Sequence, residues 1–395
     1  MKKKECNEVN ILKKIGILTY YYDSVNYGGN LQAYALCKKL EKMGYAAEQI
    51  CFNANVKVSS KTFKGRIKRI LSVIKRKVSL LFRYRKNKQS NKIIEGRKKA
   101  FEFFNKALIP HSKKVYTVNN ISETNELYNC FIAGSDQIWN LSWYVPTYFL
   151  DFVKEPNVKA AYAASFGITS FTSEQKSLIK NHLRDYKMLS LREHSSLEND
   201  GVFEFKPEVL ADPTLLLTEQ DWLEVTAPKI FKEKYIFCYF FGEGVENRLV
   251  AAQYARQNGY KIVTIPHLNG ENPFDSDFGD LQIEDCSPQE FLSLIKNAEA
   301  IFTDSFHAVV FSYIFKKNFF VFKRNRNDSM SSRIYSITQL FGTEERFCSN
   351  EDMVSVDYIS SVPDHDYSVE NHDLVELINK SEEYLHNIGN LREDF

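Results

Sequence analysis

The sequence predicts an α/β protein made of two Rossmann-like domains that face each other across a central cleft. The chain has 395 residues, and at about 100–200 residues per domain this length indicates two or three domains. Short apolar runs alternate with stretches of helical spacing, which is typical of βαβ units and a parallel sheet. Several of these runs end in polar or glycine residues, and ligands of open α/β sheets bind at the carboxyl ends of strands.

The predicted first domain covers residues 1–175 and opens with a βαβ unit. Its helix is indicated by apolar residues three and four positions apart, by lysines in its last turn, and by Gly44 as the stop signal. The predicted elements, in order, are a strand at 15–20, a loop at 23–29, a helix at 30–43 and strands at 48–52, 131–133 and 160–164.

The predicted second domain covers residues 176–345, with the boundary between Gly167 and Met188. Its clearest helix start is a capping box formed by Ser287 and Glu290, with Pro288 at the first helical position. The predicted elements, in order, are a strand at 235–240, a helix at 246–257, a strand at 261–265, the capped helix, a strand at 300–303 and a helix at 306–315.

Residues 346–395 form the predicted tail. A helix at about 373–386 is expected there, crossing back over both domains.

Charge is distributed very unevenly along the chain. Residues 57–99 contain 17 Lys or Arg and one acid, Glu95, inside a predicted helical insertion at about 57–106 of the first domain. Apolar residues recur there at spacings of three and four, which indicates an amphipathic helix with a cationic face. Such a helix favours contact with an anionic membrane surface. A core helix with a basic solvated face is the alternative. Nucleic-acid binding is not expected, because the segment lacks a series of aromatic residues for base stacking.

Composition and motifs exclude several classes of protein. The seven cysteines are scattered, which argues against a disulfide framework and a cysteine zinc site. No apolar run reaches the ~18 residues of a membrane span, and no secretory signal is evident. No metalloprotease, phosphate-binding-loop or serine-hydrolase motif occurs. We therefore expect a cytoplasmic protein that needs no metal or cofactor, with peripheral membrane contact through the basic segment.

The most informative polar stretch is Thr303-Asp304-Ser305-Phe306-His307, between an apolar strand and an apolar helix. The first amides of a helix lack internal partners and the helix dipole is positive there, so a phosphate or carboxylate would bind. His307, in the first turn, could donate a hydrogen bond or a proton. The alternative is a capping Asp304 or Ser305 beside a structural histidine.

Arg192, in Ser190-Leu191-Arg192-Glu193, follows another short apolar run. An arginine at a strand end suits bidentate binding of phosphate or carboxylate. The alternative is an Arg192–Glu193 pair at the surface.

Two further strand-end segments carry side chains that suit a ligand rich in hydroxyl groups. The first contains Asn26, Tyr27, Gly28 and Gln32, where glycine permits close approach of the backbone. The second contains Ser135, Asp136 and Trp139, where Asp136 could take a proton from a hydroxyl and Trp139 could stack on a sugar. Helix capping by Asp136 and a core position for Trp139 are the alternatives.

Six short motifs, taken in chain order, resemble the polysaccharide pyruvyl transferase family over about residues 15–346. The matching segments are Asn26-Tyr27-Gly28 with Leu31-Gln32-Ala33-Tyr34-Ala35-Leu36, Gly134-Ser135-Asp136-Gln137-Ile138-Trp139-Asn140, Ala164-Ser165-Phe166-Gly167, Ser190-Leu191-Arg192-Glu193, Asp212-Pro213-Thr214-Leu215-Leu216, and Thr303-Asp304-Ser305-Phe306-His307 with Ser332-Arg333 following.

The resemblance implies a fold of the GT-B type, phosphoenolpyruvate as donor, and a sugar of a cell-surface polysaccharide, often lipid-linked, as acceptor. It also implies that Arg192 and His307 hold the donor phosphate. Some members carry an arginine two residues before that histidine, where this chain has Ser305. The backbone amides of Phe306 and His307, or the side chain of Arg333, would compensate.

Ketal formation needs a proton donor for the enol carbon and a base for the sugar hydroxyl. We assign these roles to His307, because imidazoles exchange protons near neutral pH, and to Asp136. Arg192 and the helix start would stabilise the phosphate charge. Two other functions remain open: a glycosyltransferase that uses a nucleotide sugar on the same fold, and a non-catalytic sugar-binding scaffold at the inner membrane face.

Overall fold

The computed structural model describes residues 14–54, 88–198, 201–266, 274–275, 277–324 and 331–391. These residues form two six-stranded sheets in which every neighbouring pair of strands is parallel. Helices cover both sheets, so the predicted pair of Rossmann-like units is confirmed. We call the unit around each sheet the first and the second half.

The first sheet has the strand order β2-β1-β3-β4-β5-β6. The order reverses between β1 and β3, which makes their carboxyl ends the switch point where open α/β sheets bind ligands. Its strands, in chain order, are β1 (Lys14–Leu18), β2 (Ala46–Gln49), β3 (Cys130–Ala133), β4 (Lys159–Ala164), β5 (Met188–Leu191) and β6 (Glu208–Val209).

The second sheet has the order β12-β11-β10-β7-β8-β9, and its switch point lies between β7 and β10. Its strands are β7 (Tyr235–Tyr239), β8 (Lys261–Thr264), β9 (Leu281–Gln282), β10 (Ala300–Thr303), β11 (Asn318–Phe322) and β12 (Phe347–Cys348).

The α-helices of the described residues are α1 (Tyr27–Lys42), α2 (Lys88–Leu108), α3 (Ser173–Leu183), α4 (Glu219–Leu223), α5 (Val245–Asn258), α6 (Pro288–Asn297), α7 (Phe306–Ile314), α8 (Ser331–Leu340), α9 (Val356–Ser361) and α10 (His372–Gly389). The predicted capping box of α6 is present: the Ser287 hydroxyl accepts from the amide of Glu290, and the Glu290 carboxylate accepts from the amide of Ser287.

Two predicted boundaries differ from the structure. Helix α1 begins at Tyr27, because the Asn26 side chain caps it there, so Gly28 and Gly29 lie in its first turn rather than in a loop. The predicted division between Gly167 and Met188 would separate β5 and β6 from the first sheet, yet both strands extend that sheet next to β4. The first sheet therefore ends after Val209, and the second begins at Tyr235.

The halves are joined by a continuous apolar core. Tyr27 of α1 stacks on Phe291 of α6 with ring centroids 4.5 Å apart, and its hydroxyl donates to the carbonyl of Cys286 at 2.8 Å. Arg97 of α2 is buried and donates from Nε to the carbonyl of Glu284 at 2.8 Å. Helices α1 and α2 of the first half are thus anchored in the second half.

Helix α10 crosses back over both halves, as predicted. At its start, the Asn371 amide donates to the carbonyl of Leu340 at 2.7 Å. Further along, Tyr384 donates to the carbonyl of Ala161 at 3.1 Å, in the middle of the first sheet. One helix therefore ties the two sheets together.

The predicted basic helical insertion at 57–106 lies only partly within the described residues. Helix α2 covers its last part, whereas 55–87 lie outside. The six described cysteines are buried free thiols. Within the described ranges, no helix combines the length and apolar character that a membrane span requires.

Candidate functional site

The segments that follow β3, β5 and β6 in the first half meet the start of α7 in the second half. These are strand ends of parallel sheets, where polar side chains from distant parts of the chain converge. At their centre lies the carboxylate of Asp212, whose side chain has no exposed surface. A charged group buried this deeply needs partners that compensate for lost hydration.

Asp212 has these partners on several sides. Its Oδ2 accepts from Nη1 of Arg192 at 2.9 Å and from the Ser135 hydroxyl at 3.3 Å. Its Oδ1 accepts from the amide and the hydroxyl of Thr214 at 3.0 and 2.7 Å. Nε2 of His307 lies 3.5 Å from Oδ2. One carboxylate therefore links a strand end of the first half to a helix start of the second.

Charge explains how Asp212 stays ionised. Burial by itself would raise the pKa of this carboxyl group, but the imidazole of His307 and the guanidinium of Arg192 hold the pKa well below its ordinary value. The carboxylate is thus a fixed negative charge between two groups that can carry positive charge.

Arg192 lies immediately after β5 and is fully enclosed. Its Nε donates to Oε1 of Glu193 at 3.0 Å, and its guanidinium lies 4.5 Å from the ring centroid of Phe306. Burial would lower the pKa of Arg192, but the carboxylates of Glu193, Asp212 and Asp136 raise it overall. The alternative of an Arg192–Glu193 pair at the surface is wrong, because both side chains are buried.

His307 occupies the first turn of α7, as predicted, and faces the first turn of α1. A Cβ atom added at Gly28 would lie 2.6 Å from Cγ of His307 and closer still to its Nδ1. Only glycine leaves room for the imidazole, so close backbone approach at Gly28 is the feature that brings the halves together here.

The residues before His307 do not cap its helix. Asp304 instead accepts hydrogen bonds from the amides of Phe241 and Gly242 at 2.7–3.0 Å, in the loop after β7. The Ser305 side chain makes no capping hydrogen bond. The alternative of a side-chain cap by Asp304 or Ser305 is therefore wrong, and the first turn of α7 faces the site without one.

Arg333, at the start of α8, is buried beside Arg192. Its hydrogen-bond partner is an amide: with the amide oriented to satisfy both groups, the Gln137 oxygen accepts from Nη2 at 3.1 Å. Burial, with the positive charges of Arg192 and Arg324 added, lowers the pKa of Arg333 to about 10. Arg192 and Arg333 both line a cavity of about 160 Å³, whose other walls include Phe306 and Asp212.

Asp136 lies at the mouth of this arrangement. Its Oδ1 is 3.7 Å from Nη1 of Arg192, and its side chain is 13% exposed. Its backbone has a φ of 65°, in the left-handed region that non-glycine residues seldom adopt. Residues held this way cluster at functional sites.

Several residues predicted to bind an acceptor have structural positions instead. Trp139 is fully buried, donates from Nε1 to the carbonyl of Tyr148 and stacks on Phe149, so it cannot stack on a sugar. Tyr27 is buried between the halves, as described above. Both rings are packed against other aromatic side chains: Trp139 contacts Phe149 and Phe166, and Tyr27 contacts Phe101 and Phe291.

Three polar members of the predicted acceptor site also act within the protein. Gln32 is buried and donates from Nε2 to Thr19 Oγ1 at 3.0 Å. The Ser135 hydroxyl donates to the carbonyl of Ala163 at 2.9 Å and faces Asp212. Asn26 is exposed, and its Oδ1 accepts from the amide of Gly29 as the cap of α1.

Sequence reasoning missed Asp212, Glu193 and Gln137 as members of the site. Asp212 precedes a proline and a threonine, a pattern that indicates a helix cap, and it does cap the short 3₁₀ turn Pro213–Leu216. Its contacts with Arg192 and His307 depend on strand β6 adjoining β5, which no local pattern predicts. Among the described residues, no group of three His, Cys, Asp or Glu is placed to hold a metal ion.

Comparison with known proteins matches most of the chain to one family. The family model described as polysaccharide pyruvyl transferase matches residues 26–326. No curated protein sequence matches the chain.

Solved structures resemble the whole chain at low sequence identity. The UDP-GlcNAc 2-epimerase from Methanocaldococcus jannaschii is 14% identical with a TM-score of 0.55, covering 96% of this chain and 99% of that chain. Its complex with UDP-GlcNAc and UDP is 13% identical with a TM-score of 0.50, covering 94% and 99%. MurG from Acinetobacter baumannii is 11% identical with a TM-score of 0.38, covering 97% and 99%. The fold is of the GT-B type, and these likenesses concern the fold alone.

Gly28→Ala tests the contact between the halves. In an isolated helix this change would stabilise by about 1 kcal/mol. Here the methyl group would overlap the imidazole of His307, and overpacking costs about 1–3 kcal/mol. We expect a lower melting temperature by differential scanning fluorimetry. Gly96→Ala, inside α2, is the control, since it makes the same change within a helix and its methyl group would lie 3.1 Å from its nearest neighbour, Cβ of Asp285. A Gly28→Ala protein as stable as wild type would contradict the contact.

Asp212→Asn tests the buried charge. Removing one partner of a buried ion pair costs about 3–5 kcal/mol. Because folding holds the pKa of Asp212 well below its ordinary value, its charge contributes its full stability above the ordinary pKa of about 4, and this contribution declines as pH falls from there towards the pKa of the folded state. The stability difference between wild type and Asp212→Asn should therefore be constant near neutral pH and shrink progressively below pH ~4.

Melting temperatures across that pH range measure this difference. The exposed Asp352→Asn provides the control for loss of a surface carboxylate. A difference that is independent of pH would show that Asp212 contributes no charge to stability.

Proposed function

Because the chain belongs to the polysaccharide pyruvyl transferase family, we propose that it transfers the pyruvyl group of phosphoenolpyruvate to a sugar as a ketal. The acceptor sugar belongs to a cell-surface polysaccharide or to its lipid-linked precursor. The observation that carries the proposal is the convergence of Arg192 from the first half with Phe306, His307 and Arg333 from the second.

The donor carries a phosphate and a carboxylate, and the site offers complementary groups. Arg333 is a buried cation with an uncharged partner, and its Nε has no hydrogen-bond partner within the described ranges. An anion beside it would offset the burial and the neighbouring positive charges that lower its pKa. The first amides of α7 add donors and a positive dipole end. Arg333 thus supplies the cation that some family members carry two residues before the histidine, where this chain has Ser305.

The proposed chemistry divides proton transfer between the halves. His307 protonates C3 of the donor while a sugar hydroxyl, with Asp136 as base, attacks C2. The C2–O bond to phosphate breaks, and a second hydroxyl of the same sugar closes the ketal ring. Two hydroxyl protons are released, of which one is balanced by the proton added to C3 and the other leaves with phosphate. Arg192 and Arg333 stabilise the phosphate charge as it develops.

A nucleotide-sugar glycosyltransferase is less well supported by the second half. In Rossmann units, a diphosphate commonly binds backbone amides after the first strand. After β7 the corresponding amides of Phe241 and Gly242 already bind the Asp304 carboxylate. A carboxylate there would repel a diphosphate. A sugar-binding scaffold without catalysis would bind the acceptor and release no phosphate.

The lipid-linked form of the acceptor is proposed from the sequence alone. Residues 57–99 contain 17 basic residues, which would attract the chain to anionic lipid headgroups near such an acceptor.

Phosphoenolpyruvate is expected to stabilise the protein thermally. A ligand at 100 times its dissociation constant adds about 2.7 kcal/mol to the free energy of unfolding. Differential scanning fluorimetry with phosphoenolpyruvate should raise the melting temperature, whereas UDP- and CMP-sugars should leave it unchanged. Arg333→Met should remove most of the shift and the exposed Arg256→Met should retain it.

His307→Ala should in addition lower phosphate release by about 10²–10⁴-fold, the usual contribution of an acid–base residue. A shift produced by nucleotide sugars and not by phosphoenolpyruvate would refute the proposal in favour of the glycosyltransferase.

Membrane contact is expected to depend on the basic segment. The full chain should sediment with vesicles that contain phosphatidylglycerol at low salt, and not with pure phosphatidylcholine vesicles. Changing Lys75, Arg76 and Lys77 to Gln should weaken binding by about 3 kcal/mol in total, at about 1 kcal/mol per residue. The same changes at the exposed Lys229, Lys232 and Lys234 are the control. Equal loss in both triple variants would argue against a docking role for the segment.

A further inference from the structure

We propose that Trp143 and Tyr20 form a stacking ledge for the acceptor sugar, at the carboxyl edge of the first sheet. The inference rests on the proposed function and names a subsite of it. Nothing in the sequence motifs singles out Trp143, whereas the predicted stacking residue Trp139 is buried in the core.

Exposure first distinguishes Trp143 from the other tryptophans. The chain has three; Trp139 and Trp222 have no exposed surface, and Trp143 is 49% exposed. A single exposed apolar side chain is ordinary on a protein surface. The position of Trp143 and the fixed backbone around it are the features that indicate a ligand.

The backbone of Trp143 is held in place from two directions. Trp143 ends the 3₁₀ turn Leu141–Trp143, whose cap is Asn140: the Asn140 Oδ1 accepts from the amide of Ser142 at 2.9 Å. The Tyr20 hydroxyl donates to the carbonyl of Trp143 at 3.2 Å, and the Tyr20 ring packs on Tyr148 with centroids 4.0 Å apart. An exposed ring on a fixed backbone loses little freedom when a ligand binds.

The ledge lies at the same edge of the first sheet as the candidate site. Tyr20 follows β1, and Trp143 follows β3, so both lie beyond the carboxyl ends at the switch point of the first sheet. The carbonyl of Tyr20 lies 2.8 Å from the position of a Cβ at Gly29. The preceding residue, Gly28, is in close contact with the imidazole of His307. Asp136 lies on the loop that runs from β3 to Trp143.

The chemistry of the ledge fits a pyranose ring. A hexose presents C–H groups on one face and hydroxyls at its edge, so an aromatic surface can cover the former while polar groups bind the latter. Aromatic walls with a few polar groups are typical of small-molecule sites. The proposed base Asp136 lies on the same loop after β3 as Trp143, and could receive a hydroxyl of the bound sugar.

Tryptophan fluorescence tests the ledge without requiring turnover. Because the other two tryptophans are buried, quenching by acrylamide reports on Trp143. Methyl glycosides of galactose, glucose and N-acetylmannosamine serve as probes with the full chain. At least one should reduce the quenching constant about twofold or more when saturating, and Trp143→Ala should lose the quenchable signal. If none of the glycosides protects Trp143 from acrylamide, the ledge is refuted.

Steady-state kinetics supply a second readout with the glycoside that protects. Trp143→Ala should raise KM for that acceptor about tenfold, leave KM for phosphoenolpyruvate unchanged, and be largely rescued by Trp143→Phe. Phe103→Ala, which removes another exposed aromatic ring on α2, is the control. Unchanged acceptor KM in Trp143→Ala would overturn the inference, as would protection by vesicles and by no glycoside, since that would assign the ring to a membrane surface.

Failure of the ledge and failure of the proposed function give different results. A thermal shift with phosphoenolpyruvate but no protection by glycosides would refute the ledge alone. Protection by a glycoside without a shift from phosphoenolpyruvate would support the ledge and refute the donor.

Discussion

The carboxylate of Asp212 is the contact on which the site depends. It accepts from Arg192 at 2.9 Å and lies 3.5 Å from His307, so one buried charge contacts a basic side chain from each half. A buried ion pair adds little net stability compared with apolar packing, but the loss of one partner is severe because the other charge stays buried. The arrangement therefore fixes geometry more than it adds stability. It holds Arg192 against Phe306 and His307 against Gly28, and the two halves can meet here only in this register.

Much of the fold follows from local patterns in the sequence. Apolar runs correspond to β1, β3, β4, β7 and β10, and the capping box at Ser287 marks the start of α6. Pairing between strands is a non-local property, and the predicted domain boundary between Gly167 and Met188 therefore separates β5 and β6 from the sheet to which they belong. Strand β6 has two residues, too few for any alternation of apolar and polar side chains to show. Its position beside β5 depends on the loop that brings Asp212 to Arg192.

The positions of strand ends made part of the site predictable. Strand ends place Arg192, Asp136 and His307 near the cleft, because topology brings such ends to one edge of a sheet. Burial of aromatic rings is set by what packs on them, so the sequence could not distinguish the enclosed Trp139 from the exposed Trp143. Nor could the sequence show that Arg333 lies beside Arg192, because 141 positions separate the two residues in the chain.

The path of α10 bears on the order in which the chain folds during synthesis. Domains of growing chains generally fold from the amino-terminal side as they leave the ribosome. The first half cannot finish in that way, because the amide of Ala211 donates to the Ser381 hydroxyl and the carbonyl of Ala161 accepts from Tyr384, partners 170 and 223 residues later in the chain. Two hydrogen bonds of the first half therefore form only after α10 has been translated. The first half reaches its final form only after the second half has been translated, so the two halves mature together rather than one after the other.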